Sequence, residues 1–130
     1  MGILDKLFGT KNSSEEEGKY IPWNRLTTVE QLETIIEESK DKPVIIFKHS
    51  TRCGISRMVL RQFEKNFNIE NDNVKLFLLD LISYREVSNE IAIQFQVMHQ
   101  SPQLIILRNG KTVHHSSHDS IDAGLLENYI

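Results

Sequence analysis

Apolar positions along the chain change rhythm several times, and each change predicts an element. Leu32, Ile35 and Ile36 recur at helical spacing as far as about Ser39. Thr27 or Thr28 stands as the N-cap of that helix, and Glu30 and Gln31, three residues on, complete a capping box. Pro43 closes the connection, and Val44-Ile45-Ile46-Phe47 follows as an unbroken, largely β-branched run. Such a run fits a strand covered on both faces, as in a parallel sheet flanked by helices. From Cys53 the stripe Ile55, Met58, Val59, Gln62, Phe63 and Phe67 predicts a second helix, and Asn71-Asp72-Asn73 breaks the chain again. Residues 74–79 predict a second apolar strand that ends at Asp80, and Val87, Ile91 and Phe95, at spacing four, place a third helix over 84–95. Ser101-Pro102 opens a strand over 103–107, Asn109-Gly110 is a strong hairpin signal, and 111–115 form the antiparallel return. Ile121, Leu125, Leu126 and Tyr129 predict a last amphipathic helix capped by Asp119 or Ser120.

The first half of this order reads as a βαβ crossover and the second as a hairpin with a covering helix. A cysteine-bearing turn follows the first strand and a proline precedes the hairpin. Together these describe an α/β, thioredoxin-like domain over residues 20–130, with a central mixed four-stranded sheet flanked by helices. Pro22, Trp23 and Leu26 form its short extended entry, anchored by the indole. Residues 1–19 read as a flexible leader. Ile3, Leu4, Leu7 and Phe8 make an amphipathic patch too brief to hold a helix alone, and the Gly-Thr-Lys-Asn-Ser-Ser-Glu-Glu-Glu-Gly that follows has linker composition. Lys6 stands where an N-myristoylation pattern wants Ser or Thr.

Composition narrows the function classes. The 130 residues carry 18 Asp and Glu against 15 Lys and Arg, a net charge of −3, so no basic excess drives nucleic-acid binding. No apolar run approaches the roughly 20 residues of a membrane span, so no membrane partner is expected. A single cysteine, Cys53, cannot form an internal disulfide, which excludes a stapled secreted scaffold. With no apolar signal-peptide core at the start, the reading is a reducing cytoplasm.

That leaves reactivity as the reason to weigh Cys53. At the first turn of a helix its sulfur meets backbone N–H groups without intrahelical partners, and these favour an anion, hence a thiolate. Arg52, Arg57 and His49 are counted as nearby positive charge. Ser56 lies one helical turn along, at the position a resolving cysteine takes in Cys-x-x-Cys motifs; its hydroxyl can donate to a thiolate but cannot attack a mixed disulfide. The chemistry this permits is monothiol exchange with an external thiol. Pro102, after Ser101, is read as a cis-proline beside which a substrate chain pairs like an added strand. His114, His115 and His118 read as solvated loop histidines and not as a metal site, because neighbours on a strand point to opposite faces. His99 lies near Pro102 in sequence and could border the cleft.

Over Phe47-Lys48-His49-Ser50-Thr51-Arg52-Cys53-Gly54-Ile55-Ser56 the sequence resembles the monothiol bacilliredoxins, thioredoxin-like proteins of bacillithiol-using bacteria. The resemblance extends over residues 23–130, through Trp23, Leu26, Glu30-Gln31-Leu32 and Ser101-Pro102. It implies a thiol–disulfide oxidoreductase of the oxidative-stress response that removes bacillithiol from S-bacillithiolated proteins. Cys53 and Ser56 would be catalytic, and Arg52, Gly54, Ile55, Ser101 and Pro102 would line the substrate. No bound cofactor is implied: bacillithiol is the co-substrate, S-bacillithiolated proteins the targets, and a flavin-dependent bacillithiol disulfide reductase a further partner. The family motif is usually Thr-Cys-Pro-Ile-Ser; here Arg52 and Gly54 replace its Thr and Pro. Arg-Cys-Gly-Ile-Ser is also one residue from the Arg-Cys-Gly-Phe-Ser of monothiol glutaredoxins, which hold a [2Fe–2S] cluster with glutathione. Those proteins carry Thr-Val-Pro and a Gly-Gly-x-Asp turn, whereas this chain has Gln100-Ser101-Pro102 and no glycine pair after the hairpin. A cluster carrier is therefore the first alternative, and a non-catalytic thioredoxin-fold interaction module the second.

Overall fold

Two apolar runs on successive strands form the centre of the domain. The computed structural model describes residues 21–130; the proposed leader lies outside them. Strand β1 is Asn24–Arg25, β2 Val44–His49, β3 Lys75–Asp80, β4 Gln103–Arg108 and β5 Lys111–Ser117. Helix α1 is Gln31–Glu38, α2 Gly54–Asn66 and α3 Arg85–Gln94. The sheet order is β1-β3-β2-β4-β5. β1, β3 and β2 run parallel, and β4 and β5 are antiparallel to their neighbours. All six residues of β2 are buried, as a doubly covered strand requires.

Alternation along β2 divides the core. Val44 and Ile46 pack with Leu32 and Ile35 of α1 and Val87 and Ile91 of α3. Ile45 and Phe47 face the other way, onto Phe63 of α2, Phe67, Ala123 and Leu126. Each such side chain contributes about 1.5–3 kcal/mol by leaving water. Trp23 anchors the chain entry as expected: its ring lies 6.1 Å from that of Phe47 and 6.0 Å from that of Phe63, and Nε1 donates to Glu64 at 2.7 Å. The capping box forms between Thr28 and Gln31. The Thr28 N–H donates to Gln31 Oε1 at 3.0 Å, and the Gln31 N–H donates back to Thr28 Oγ1 at 3.3 Å.

Three expectations are corrected. The sheet has five strands, not four, because residues 24–25 add a short parallel edge to β3. Both residues are exposed and polar, so no alternation marks them; Asn24 instead secures the edge by donating to the Leu76 carbonyl at 3.1 Å. The last α-helix is replaced by 3₁₀ segments at His118–Ser120 and Ala123–Tyr129. There Asp122, not Asp119 or Ser120, caps by accepting from the Gly124 N–H at 2.9 Å. Buried Ala123 and Leu126 are three apart, the repeat of a 3₁₀ turn. Finally, the apolar stripe of α2 does not all enter the core: Ile55 and Met58 are 65% and 61% exposed.

The hairpin turn is held by α1. Asn109 and Gly110 both have positive φ, 53° and 75°, the pairing of a type I′ turn. Ser39, buried at the end of α1, accepts the Asn109 N–H on its carbonyl at 2.8 Å and the Gly110 N–H on its hydroxyl at 2.7 Å. A Cβ on Gly110 would also come within 3.3 Å of Ile36 Cγ2. Gly110→Ala should therefore destabilise the domain by about 1–2 kcal/mol in urea denaturation. An unchanged midpoint would show that the turn is not constrained as described.

Candidate active site

The turn that carries Cys53 grows directly out of β2. The Ser50 carbonyl accepts the Cys53 N–H at 3.2 Å, closing residues 50–53 into a tight loop. Cys53 is the N-cap of α2, with extended backbone, and its carbonyl accepts the first helical bond from the Arg57 N–H at 3.1 Å. The thiol is exposed. Arg57 Nη1 donates to the Thr51 carbonyl at 3.2 Å, which lays its guanidinium along the turn, while Arg52 projects into solvent. Thr51 Oγ1 lies 3.4 Å from both carboxylate oxygens of Asp80 at the end of β3. Burial pushes the Asp80 carboxyl up, but hydrogen bonds from Ser83, Ile82 and Thr51 outweigh it and leave the group below its ordinary value.

Ser56 sits beneath this turn and is fully buried. Its Oγ accepts the Ser50 N–H at 3.1 Å and lies 3.0 Å from His49 Nδ1. A buried hydroxyl proton needs an acceptor, so Ser56 donates to Nδ1 and the neutral ring carries its proton on Nε2. The hydroxyl expected to serve the thiol thus secures the loop that presents it. His49, counted from sequence as positive charge, is 6% exposed. Burial pushes its pKa down, Asp80 opposes this, and Arg57 and Arg25 add to the depression. It stands at the site as a neutral imidazole.

On the opposite face of β2, Lys48 is also fully buried. Its Nζ lies 2.9 Å from His99 Nδ1. An ammonium only donates, so that nitrogen of His99 is the unprotonated one. Desolvation lowers the Lys48 pKa to about 8, and burial, Lys48 and Arg85 together lower that of His99. Sequence reasoning passed over Lys48. The signal was its period-two continuation of Val44 and Ile46 in a doubly covered strand.

The Ser101–Pro102 peptide is cis. Gln103, the next residue, pairs with Lys48 across β4 and β2, so Pro102 lies at the same end of adjacent strands as the Cys53 turn. The Pro102 carbonyl accepts the His118 N–H at 3.0 Å, whereas no backbone hydrogen bond ties Ser101 to another described residue. Ile55 and Gly54 flank the thiol in the first turn of α2. Cys53, Arg52, Gly54, Ile55, Ser101 and Pro102 therefore share one end of the sheet, with Ser56 below them. His114 is half-buried on β5, stacked 4.8 Å from Tyr129, and is not a loop histidine. Burial, and then His115, lowers its pKa. Among the described residues no group of three His, Cys, Asp or Glu could hold a metal ion, and no helix is long and apolar enough to cross a membrane.

An exposed cysteine capping a helix after the central strand, set across from a cis-proline, defines a thiol oxidoreductase of the thioredoxin fold. A family model for the monothiol bacilliredoxin BrxC matches residues 24–126, and the chain belongs to that family. It is 31% identical to a candidate oxidoreductase with a thioredoxin fold, covering 87% of this chain and 95% of that one at a TM-score of 0.69. The thioredoxin Mala s 13 of Malassezia sympodialis shares the fold at 19% identity, with 85% and 89% coverage and a TM-score of 0.65. Spinach chloroplast thioredoxin f does so at 18%, with 89% and 90% coverage and a TM-score of 0.61.

Gly54, where the family motif has proline, is not required by its surroundings. A Cβ there meets nothing within 4 Å. It is the first residue of α2, and Cys53 before it is extended, at φ −108° and ψ 120°, which a following proline tolerates. Gly54→Pro should stabilise the fold by about 0.4–1 kcal/mol; a lower thermal midpoint would refute this.

The bases whose pKa values are depressed also set a pH dependence. His49, His99 and His114 have pKa values below the ordinary 6.5 in the folded chain. Their contribution is present above 6.5 and is lost as pH falls through the folded values. Lys48, lowered from 10.5 to about 8, follows the same sign, so stability rises again between those limits. Urea unfolding across pH 5 to 10.5 should show both rises, and Lys48→Met should abolish the alkaline one and reduce the His99 part of the other.

Proposed function

We propose that the protein removes bacillithiol from S-bacillithiolated proteins. The observation that carries this reading is the environment of the one cysteine: Cys53 is exposed, while the residue in the resolving position is a serine buried against His49. The Cys53 thiolate attacks the bacillithiol sulfur of a mixed disulfide. That S–S bond breaks, the target protein leaves as its thiolate and takes a proton from solvent, and a Cys53–bacillithiol disulfide forms. A second bacillithiol thiolate then attacks the bacillithiol sulfur of this adduct. Bacillithiol disulfide is released and Cys53 is restored, with no net change in its oxidation state. A flavin-dependent bacillithiol disulfide reductase would return the released disulfide to thiol, in the reducing cytoplasm where such thiols are kept.

Each predicted site residue has a place in this scheme. Cys53 is the nucleophile. Arg52 and Gly54 border it and would face the small thiol, which carries carboxylates that a guanidinium suits. Ile55, exposed one position further, offers an apolar contact to the target. The backbone of Ser101, which no hydrogen bond ties to another described residue, offers the target chain a strand edge next to cis-Pro102. Ser56 supports the turn from below.

Mixing the full chain with a bacillithiolated substrate protein should free the substrate and add one bacillithiol mass to Cys53, read by intact-mass spectrometry. Cys53→Ser should gain no adduct and release nothing. Adduct formation on that variant, or a substrate left fully modified by the wild type, would overturn the proposal.

A further inference from the structure

β2 and β4 are apolar along most of their length, and Lys48 of the one meets Gln103 of the other beside the active end. Lys48 stands directly opposite Gln103, on the face covered by α3, and both are essentially without solvent exposure. An ammonium buried there is strongly unfavourable unless something compensates it. Lys48 takes part in none of the ion pairs among the described residues. Its acceptor is His99 Nδ1, which Ser88 Oγ of α3 also approaches, at 3.4 Å. Gln103 grips the main chain next to it: Nε2 donates to the Met98 carbonyl at 3.0 Å, while Oε1 is buried without a partner. Met98 and His99 are thus fastened to the sheet, one by its carbonyl and one by its ring, just ahead of cis-Pro102. Leucine or methionine would fill these two positions as well by packing alone. What the polar pair adds is direction, because hydrogen bonds constrain angle as well as distance.

We propose that Lys48, acting through His99, is a positioning residue for the substrate-facing segment 98–102. It aims that segment so that the Ser101 backbone can pair with the target chain from which Cys53 takes bacillithiol. This rests on the reading of Ser101–Pro102 as the edge that receives the target. The two faces of β2 then divide the work: His49 supports the nucleophile's turn through Ser56, and Lys48 supports the docking edge through His99.

The test compares full-length Lys48→Met, His99→Leu and His99→Asn with wild type; the asparagine oxygen can stand near the position of Nδ1. Amide hydrogen exchange over residues 98–104 should speed up by about tenfold in the methionine and leucine variants. KM for a bacillithiolated peptide should rise by about tenfold, with kcat changed far less. The rate of Cys53 alkylation by iodoacetamide should stay at the wild-type value, and His99→Asn should recover most of the loss. Unchanged exchange in both disruptive variants overturns the proposal, as does faster exchange with an unchanged KM, or an asparagine variant no better than leucine. If Lys48→Met does not fold, the two His99 variants, altered on an exposed loop, decide the matter. A wild type that leaves the peptide untouched defeats the proposed function alone, and the exchange result then decides the clamp.

Discussion

The active end of the molecule depends on two consecutive residues that leave the last turn of β2 in opposite directions. In a strand, neighbours must point to opposite faces, so Lys48 and His49 carry polar groups into both layers of the core at the same height. Both layers are mostly aliphatic or aromatic, and a polar group placed there is strongly unfavourable unless it finds a partner. Each has found one, His49 in the first turn of α2 and Lys48 on the loop before cis-Pro102. His49 meets Ser56 and, through it, the amide of Ser50. Lys48 meets His99. The need to satisfy buried groups therefore orders the segments that chemistry uses.

Most of the fold was legible because its signals are local and redundant. The run 44–47, the Asn109-Gly110 pair and the Thr28/Gln31 box each specify their geometry within a few residues. What escaped depended on distant contacts. Asn24 and Arg25 become a strand only because β3 offers them an open edge, and nothing in their own side chains announces it. The closing segment has helical spacing on paper, yet Asp122 caps a tighter turn at Gly124, and Ala123 and Leu126 then repeat every three residues. Ile55 and Met58 belong to an amphipathic stripe, but no other described element covers them and both stay largely exposed.

The site divides along the same line. Cys53 at a helix start, Ser56 one turn on and a cis-proline before the hairpin follow from spacing and strand order. The protonation states do not. His49 next to two arginines reads as a cation until its burial is known, and Ser56 reads as a partner for sulfur until Ser50 and His49 are seen to occupy it. Lys48 and Gln103 were passed over for a related reason. Polar residues at strand ends are ordinarily solvated, and only the register that sets these two opposite each other, under α3, makes them interior.

Serine and cysteine differ by one atom, and a chain with a serine in the resolving position looks one substitution from a dithiol enzyme. The bonding of Ser56 lengthens that path. A thiol in its place would be a weak donor to His49, too bulky for distances of 3.0 and 3.1 Å set by an oxygen. It would also begin inside the core, while its would-be partner sulfur lies at the surface. Monothiol character is thus a property of a three-residue unit, Ser56 with His49 and the Ser50 amide. A cysteine at position 56 would have to give up the bonds that hold the turn before it could close a disulfide with Cys53.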